Sequence, residues 1–317
     1  MITASLLITG ERMYGVLKTD SLKNMEKNVL ILGATGMLGS AVYDVLKNDY
    51  NLALSTIKKE KIDLLEEKYG ETKNHRVVEF DVMKIYEDFL EKKGYPSKYL
   101  LSFMEEVGNV DYVINAIGIT IPYSLKDTTA TFFINSAFPH ILASYLGEKL
   151  IHITTDCVYD GENGFPYDER SLKNSVDVYG ISKSLGEPQN ALTIRTSIIG
   201  RELEGFTSLL EWFLKQEGQT ISGFAKHYWN GITTKEFGNV CHKIISNPEK
   251  YPKTGIYHVF SNTVSKYEML LKFKEKFKVD CVINKENENK LNRTLSTVYE
   301  FNSLLNVPSF DKMIDEL

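Results

Sequence analysis

Val29-Leu30-Ile31-Leu32-Gly33-Ala34-Thr35-Gly36-Met37-Leu38-Gly39 is a short apolar run that feeds a glycine-punctuated turn and then opens a helix. Four apolar residues in a row suit a strand covered on both faces, as in a parallel sheet. Past the turn, Ala41, Val42, Val45 and Leu46 recur on one helical stripe. Strand, turn and helix therefore come in the order that a dinucleotide-binding βαβ unit requires. Gly33 can take the tight turn, Gly36 lets the backbone approach a pyrophosphate, and Gly39 lets helix and strand pack closely. The unpaired N–H groups at the helix start would face the anion, with Thr35, Met37 and Leu38 around it.

Working outward, residues 52–55, 76–81, 111–118, 149–154, 191–195 and 256–260 read as further strands. Helical periodicity marks 132–148, 208–216 and 267–277, while the Lys-, Asn- and Glu-rich stretch 284–292 reads as a solvated loop. This alternation predicts an α/β fold, a Rossmann-like doubly wound parallel sheet with a smaller C-terminal substrate-binding lobe. The expected division gives residues 25–197 to the NAD(P)-binding domain, with 232–262 returning to it. The lobe takes 198–231 and 263–317. Met25 stands just before the first strand, so residues 1–24 read as an N-terminal extension, disordered or a start-site artefact.

The chain has 317 residues and a formal net charge of -5, which argues against nucleic acid as the main partner. Its three cysteines, Cys157, Cys241 and Cys281, are far apart and form no C-x-x-C, so neither a disulfide framework nor a zinc site is indicated. A reducing cytoplasm is the expected compartment. The six histidines show no metal-binding spacing, and no metal is expected. No apolar run approaches the roughly 20 residues that span a bilayer, so no membrane partner is expected either. No interface signature stands out; a homodimer is an open assembly.

An acidic residue about 20 positions beyond the glycine turn would hold the ribose hydroxyls of NAD. Here that region offers Ser55, Thr56, Lys58 and Lys59 instead. Hydroxyls and ammonium groups suit a 2′-phosphate, which favours NADPH, with NADH remaining open. Asp81-Val82 is placed to meet the adenine edge, and the fourth strand ends in a small-residue turn containing Ala116 and Gly118.

Tyr-x-x-x-Lys puts a phenol and an ammonium on one helical face. That charge together with a bound nicotinamide ring is expected to pull the phenol from about 10 toward 7, which makes a usable acid. The spacing occurs five times, at Tyr14/Lys18, Tyr43/Lys47, Tyr69/Lys73, Tyr145/Lys149 and Tyr179/Lys183. Only the last follows a strand that ends in a hydroxyl source, Thr154-Thr155-Asp156.

The glycine turn, Thr154-Thr155-Asp156-Cys157-Val158-Tyr159-Asp160-Gly161, Tyr179-Gly180-Ile181-Ser182-Lys183 and Leu192-Thr193-Ile194-Arg195-Thr196-Ser197 together resemble the extended short-chain dehydrogenase/reductase family. Within it the chain is most similar to the dTDP-4-dehydrorhamnose reductases. The resemblance implies that Tyr179 protonates a ketone oxygen, Thr155 hydrogen-bonds it, and Lys183 holds the nicotinamide ribose. It places Asn135 in support of the lysine. It also implies NADPH-dependent reduction of the 4-keto group of a nucleotide-activated deoxysugar, for a polysaccharide or glycan precursor. Asp156, Cys157, Arg195 and Arg293 become candidates for the substrate, with Arg201 and Lys226 as further cations for its diphosphate.

Cys157 departs from two branches of the family. A 4,6-dehydratase usually has Glu at this place and a rhamnose-type reductase an aromatic residue. GDP-fucose-synthase-like enzymes carry a cysteine here and use it with a histidine, but the matching position after Gly200 holds Arg201-Glu202. The alternatives are a nucleotide-sugar 4-epimerase, a combined epimerase and reductase, and a non-catalytic NADP-binding regulatory subunit like that of methionine adenosyltransferase.

Overall fold

A computed structural model describes residues 27–70, 72–91 and 97–317; the 1–24 extension and the Tyr14/Lys18 pair lie outside them. Strand β1 (Asn28–Leu32) leads through the glycine turn into α1 (Met37–Leu46). Val29 and Ile31 enter one core layer, and Leu30 and Leu32 enter the layer on the opposite face. That is why the run is uniformly apolar: neither face of β1 meets water. Gly33 has φ +78°, a left-handed conformation that a side chain would strain. A Cβ on Gly39 would sit 2.1 Å from the Gly33 carbonyl oxygen, so only glycine lets α1 approach the strand this closely.

The remaining strands are β2 (Asn51–Thr56), β3 (Arg76–Glu79), β4 (Tyr112–Asn115), β5 (Leu150–Thr154), β6 (Leu192–Arg195), β7 (Ile198–Ile199), β8 (Thr220–Trp229), β9 (Ile232–Thr233), β10 (Gly255–His258), β11 (Val264–Ser265) and β12 (Val282–Asn292). Seven form one parallel sheet in the order β10-β6-β5-β4-β1-β2-β3. The order reverses between β1 and β4, which opens a crevice at the carboxyl ends of the strands. Helix α2 (Val178–Leu185) follows β5, and α3 (Thr234–Ser246) packs on α1, where a Cβ on Gly238 would meet Val45 at 2.8 Å. The sequence reading assigned α3 and β8 to no element.

A second sheet, β11-β8-β12, carries α4 (Lys266–Phe277). Phe213, Trp229, Met269, Leu270, Phe273 and Phe310 form its own core. The solvated loop expected at 284–292 is instead part of β12, which runs parallel to β8. Its polar residues show no alternation because β12 is an edge strand, mostly exposed, held by its backbone bonds to β8 with only Ile283 packing on the core. Among the described residues, no helix is long and apolar enough to cross a membrane.

Arg195 ends β6 inside the protein, not at the substrate. Its Nε and Nη2 donate to the two carboxylate oxygens of Glu187 at 2.9 and 2.7 Å, and Nη1 donates to Tyr159 Oη at 2.7 Å. Arg195 is 2% and Glu187 1% exposed. Arg195 is therefore not at the substrate, contrary to expectation, because its side chain is buried and all three of its nitrogens have partners within the core beside β5. Burial raises the Glu187 pKa, but the Arg195 contact outweighs it and holds the carboxyl below its usual value. The pair therefore stabilises the fold above the ordinary carboxylate pKa, and this contribution is lost as pH falls through the lowered value. Removing one partner strands the other charge, so Glu187→Ala is expected to lose about 3–5 kcal/mol of unfolding free energy, read as a lower urea midpoint. An unchanged midpoint would show that the pair is dispensable.

Candidate active site at the strand-order crossover

A cavity of about 840 Å³ lies at the carboxyl ends of β1, β4 and β5, and Thr35, Gly36, Met37 and Leu38 line one end of it. Ala116, Ile117 and Gly118 form a wall, and Thr155, Cys157, Tyr179 and Lys183 meet at the other end. Residues 119–123, 196–198, 202–205, 207 and 208 also line it. Glu202 organises the 202–208 loop, since its carboxylate accepts the N–H groups of Thr207 and Ser208.

Backbone contacts bring these groups together. Asp177 caps α2 by accepting the Gly180 N–H at 2.8 Å. A Cβ on Gly180 would lie 2.3 Å from the Cys157 carbonyl oxygen, so the glycine lets α2 press on the turn after β5 and sets Tyr179 beside Thr155 and Cys157. Gly186 makes a similar contact, with a Cβ only 1.8 Å from the Asn135 carbonyl oxygen. Asn135 sits in a π-helical turn, Phe133–Ala137, of the kind often found at functional sites. Its Oδ1 accepts the Ile119 N–H, while its Nδ2 donates to Ile119 O and Ser182 Oγ. It thereby ties the loop after β4 to α2.

Lys183 Nζ donates to the Ile153 carbonyl at 3.0 Å, a contact that no side-chain motif announces. Burial brings its pKa down to about 8, against a small opposing effect of Glu187. Burial also pushes the Tyr179 phenol above its usual value, with Cys157 adding and Thr155 opposing. The drop toward 7 is expected with a nicotinamide ring bound; in the protein alone the ammonium is held on a carbonyl, and low polarity around the phenol disfavours the phenolate. Thr155 Oγ1 is fixed by accepting the Cys157 N–H at 3.1 Å and donating to Asp156 Oδ1 at 3.2 Å. Asp156 is buried and outside the cavity lining, so it positions Thr155.

The turn suits a dinucleotide. Gly36 caps α1 without a side-chain bond, which leaves the first N–H groups of the helix free toward the cavity. The adenosine side differs from expectation. Ser55 is fully buried and accepts the Gly33 N–H at 3.0 Å, and Thr56 Oγ1 lies 3.1 Å from Thr35 Oγ1. Both hydroxyls shape the turn instead of facing a 2′-phosphate, whereas Lys58 and Lys59 are exposed. Asp81 Oδ1 caps a helix by accepting the Met83 N–H, and Val82 packs in the core.

The other Tyr-x-x-x-Lys pairs described lie outside the cavity lining. Lys47 pairs with Asp44, and Lys149 Nζ bonds the Val110 carbonyl. Of the remaining substrate candidates, Arg201 pairs with Glu211 and Lys226 is absent from the lining. Arg293 reaches the site from beyond β12, with Nη1 3.5 Å from Cys157 Sγ. Gly161 makes room for it, because a Cβ there would meet Arg293 Cγ at 2.8 Å.

The fold is that of the extended short-chain dehydrogenase/reductase class. Residues 108–298 match the model of the RmlD substrate binding domain, and the chain belongs to that family. It is 27% identical over 184 residues to spore coat polysaccharide biosynthesis protein SpsK of Bacillus subtilis, covering 55% of this chain and 63% of that protein. It is 24% identical over 261 residues to methionine adenosyltransferase 2 subunit beta of Bos taurus, covering 77% of this chain and 70% of that one. The crystal structure of dTDP-4-dehydrorhamnose reductase from Bacillus anthracis in complex with NADP superposes with a TM-score of 0.64 at 19% identity, over 92% of this chain and 98% of that one.

Above about pH 8 the cationic fraction of Lys183 falls roughly tenfold per pH unit. NADPH affinity, measured by fluorescence titration, is expected to fall with it, and Lys183→Arg should flatten that slope because its guanidinium stays charged. An affinity that does not change from about pH 7 to 9.5 in the unaltered protein would contradict this assignment.

Proposed function

We propose that the protein is an NADPH-dependent reductase of the 4-keto group of a nucleotide-activated deoxysugar, serving polysaccharide or glycan precursor synthesis. The observation that carries the reading is that Thr155, Tyr179 and Lys183 line one cavity with the helix-start turn at Thr35–Leu38. Residues 25–197 and 232–262 hold the cofactor, and 198–231 with 263–317 close over the sugar nucleotide.

When bound, NADPH supplies the hydride. The chain's own groups do the rest. The Thr155 hydroxyl turns its one hydrogen from Asp156 Oδ1 to the ketone oxygen, and the Tyr179 hydroxyl gives that oxygen a proton. The raised phenol pKa keeps that proton in place across neutral pH, so the acid is loaded before substrate arrives. The Lys183 ammonium has three donors; one goes to Ile153, and the others are free for ribose hydroxyls. Cys157, pushed up to about 12 by burial and then by Asp156, stays a neutral thiol against the sugar. A neutral thiol is a poor base, which favours reduction over a combined epimerase and reductase.

The test is NADPH oxidation with dTDP-4-keto-6-deoxyhexose and its UDP and GDP counterparts. Turnover with at least one is expected; none, from protein that binds NADPH, would overturn the reading. Tyr179→Phe should bind NADPH normally and lose about 10²- to 10⁴-fold in kcat. The similarity to a methionine adenosyltransferase subunit supports one rival, a non-catalytic regulatory subunit. Stoichiometric co-purification with a partner enzyme, without turnover of any keto sugar, would favour it.

A further inference from the structure

Residues 202–205, 207 and 208 line the same cavity as the glycine turn and Lys183, yet none of them has a part in the chemistry above. Their segment comes from β6, which ends at Arg195, by way of β7. Its tip reaches the far side of the crevice, where Glu204 forms an ion pair with Lys61 of the helical turn Lys59–Lys61, just after β2. In the main sheet β2 stands four places from β6, with β5, β4 and β1 between them. Neighbouring strands lie about 4.8 Å apart, so that span is about 19 Å. A chain that leaves at β6 and is tied beyond β2 crosses the carboxyl ends of all three strands, and with them the crevice between β4 and β1.

The crossing segment also meets the wall after β4. A Cβ on Gly205 would lie 3.8 Å from Tyr123 Oη, in the short helix Ile121–Ser124. Its root is held firmly. Glu202 accepts the N–H groups of Thr207 and Ser208, Arg201 Nε donates to Glu211 at 2.7 Å, and Lys215 Nζ donates to the Phe206 carbonyl at 2.9 Å. These contacts keep Gly205 and Phe206 at φ +86° and +50°, a left-handed reversal that a phenylalanine does not take up unaided. The tip has a weaker hold. Lys61 and Glu204 are 33% and 50% exposed, and an ion pair so open to water contributes little and breaks readily. Each tie also occupies a carboxylate: Glu202 is spent on two N–H groups and Glu204 on Lys61, so neither stands unpaired beside the helix start where a pyrophosphate would lie.

We propose that residues 202–208 form a strap over the bound dinucleotide, latched by Lys61 and Glu204, which opens to let the cofactor enter and leave. This rests on the reading that the cavity holds NADPH, and it adds the step that sets how fast the cofactor exchanges. A reductase must exchange its cofactor at every turnover, and a latch weak enough to break readily suits that need.

The experiment measures release of NADPH and NADH from the full chain by stopped-flow displacement, with amide hydrogen exchange across the strap in the presence and absence of NADP. Saturating NADP is expected to slow exchange in 202–208. Lys61→Met and Glu204→Gln are each expected to speed release of both cofactors by the same factor, roughly two- to fivefold. Combining them should add nothing, because either change alone breaks the same tie. Unchanged release in all three variants, or exchange in 202–208 that is indifferent to NADP, would overturn the latched strap. Slower NADPH release in Glu204→Gln, with faster release of NADPH alone in Lys61→Met, would assign Lys61 to the 2′-phosphate and overturn the latch. If keto sugars are still reduced in those cases, the reductase reading stands. The expected release rates and exchange without turnover of any keto sugar would uphold the strap and overturn the reductase reading, and binding of neither NADPH nor NADH would overturn both.

Discussion

Everything at this site depends on how closely α1 can approach the end of β1. Gly39 has no side chain to hold it off the Gly33 carbonyl, so the first turn of the helix comes down over the crevice with its N–H groups uncapped. Two other contacts repeat the device. Gly180 presses α2 onto the turn after β5, and Gly186 presses its end onto the π-helical turn of Asn135. Three backbone-to-backbone approaches therefore set the cavity's two ends and one wall, and each would be wedged apart by a methyl group.

The electrostatics follow from burial more than from pairing. The same low polarity that keeps the proton on Tyr179 weakens the hold of Lys183 on its own proton. These shifts have opposite consequences for pH, the phenol remaining loaded while the ammonium limits the alkaline side. Deeper in the protein, Glu187 answers Arg195 in full, and that pair is structural.

Much of the fold was legible in the sequence, because faces and turns are local properties. The apolar run at 29–32, the helical stripe after it and the glycines between them define β1, the turn and α1 without reference to anything distant. The seven strands of the main sheet were readable on the same grounds, with ends shifted by a few residues at most. By contrast, β12 was missed because an edge strand needs no apolar face, and its Lys, Asn and Glu residues carry no period to detect. Helix α3 escaped notice although its packing on α1 buries Phe237, Val240 and Ile244.

By itself the sequence determined the glycine turn, the parallel α/β architecture and the place of Tyr179 and Lys183 just after the strand that ends in Thr154-Thr155-Asp156. The reason is that strand order and helix spacing are written along the chain. Only the tertiary structure decided what each charge and hydroxyl meets. Arg195 turned inward to Glu187, Ser55 and Thr56 went to the glycine turn, and Lys183 settled on Ile153. It also brought Arg293 to Cys157, a residue more than 100 positions away in sequence. A side chain's partner is fixed by whatever packs against it after folding, and a polar residue carries no local mark of that choice.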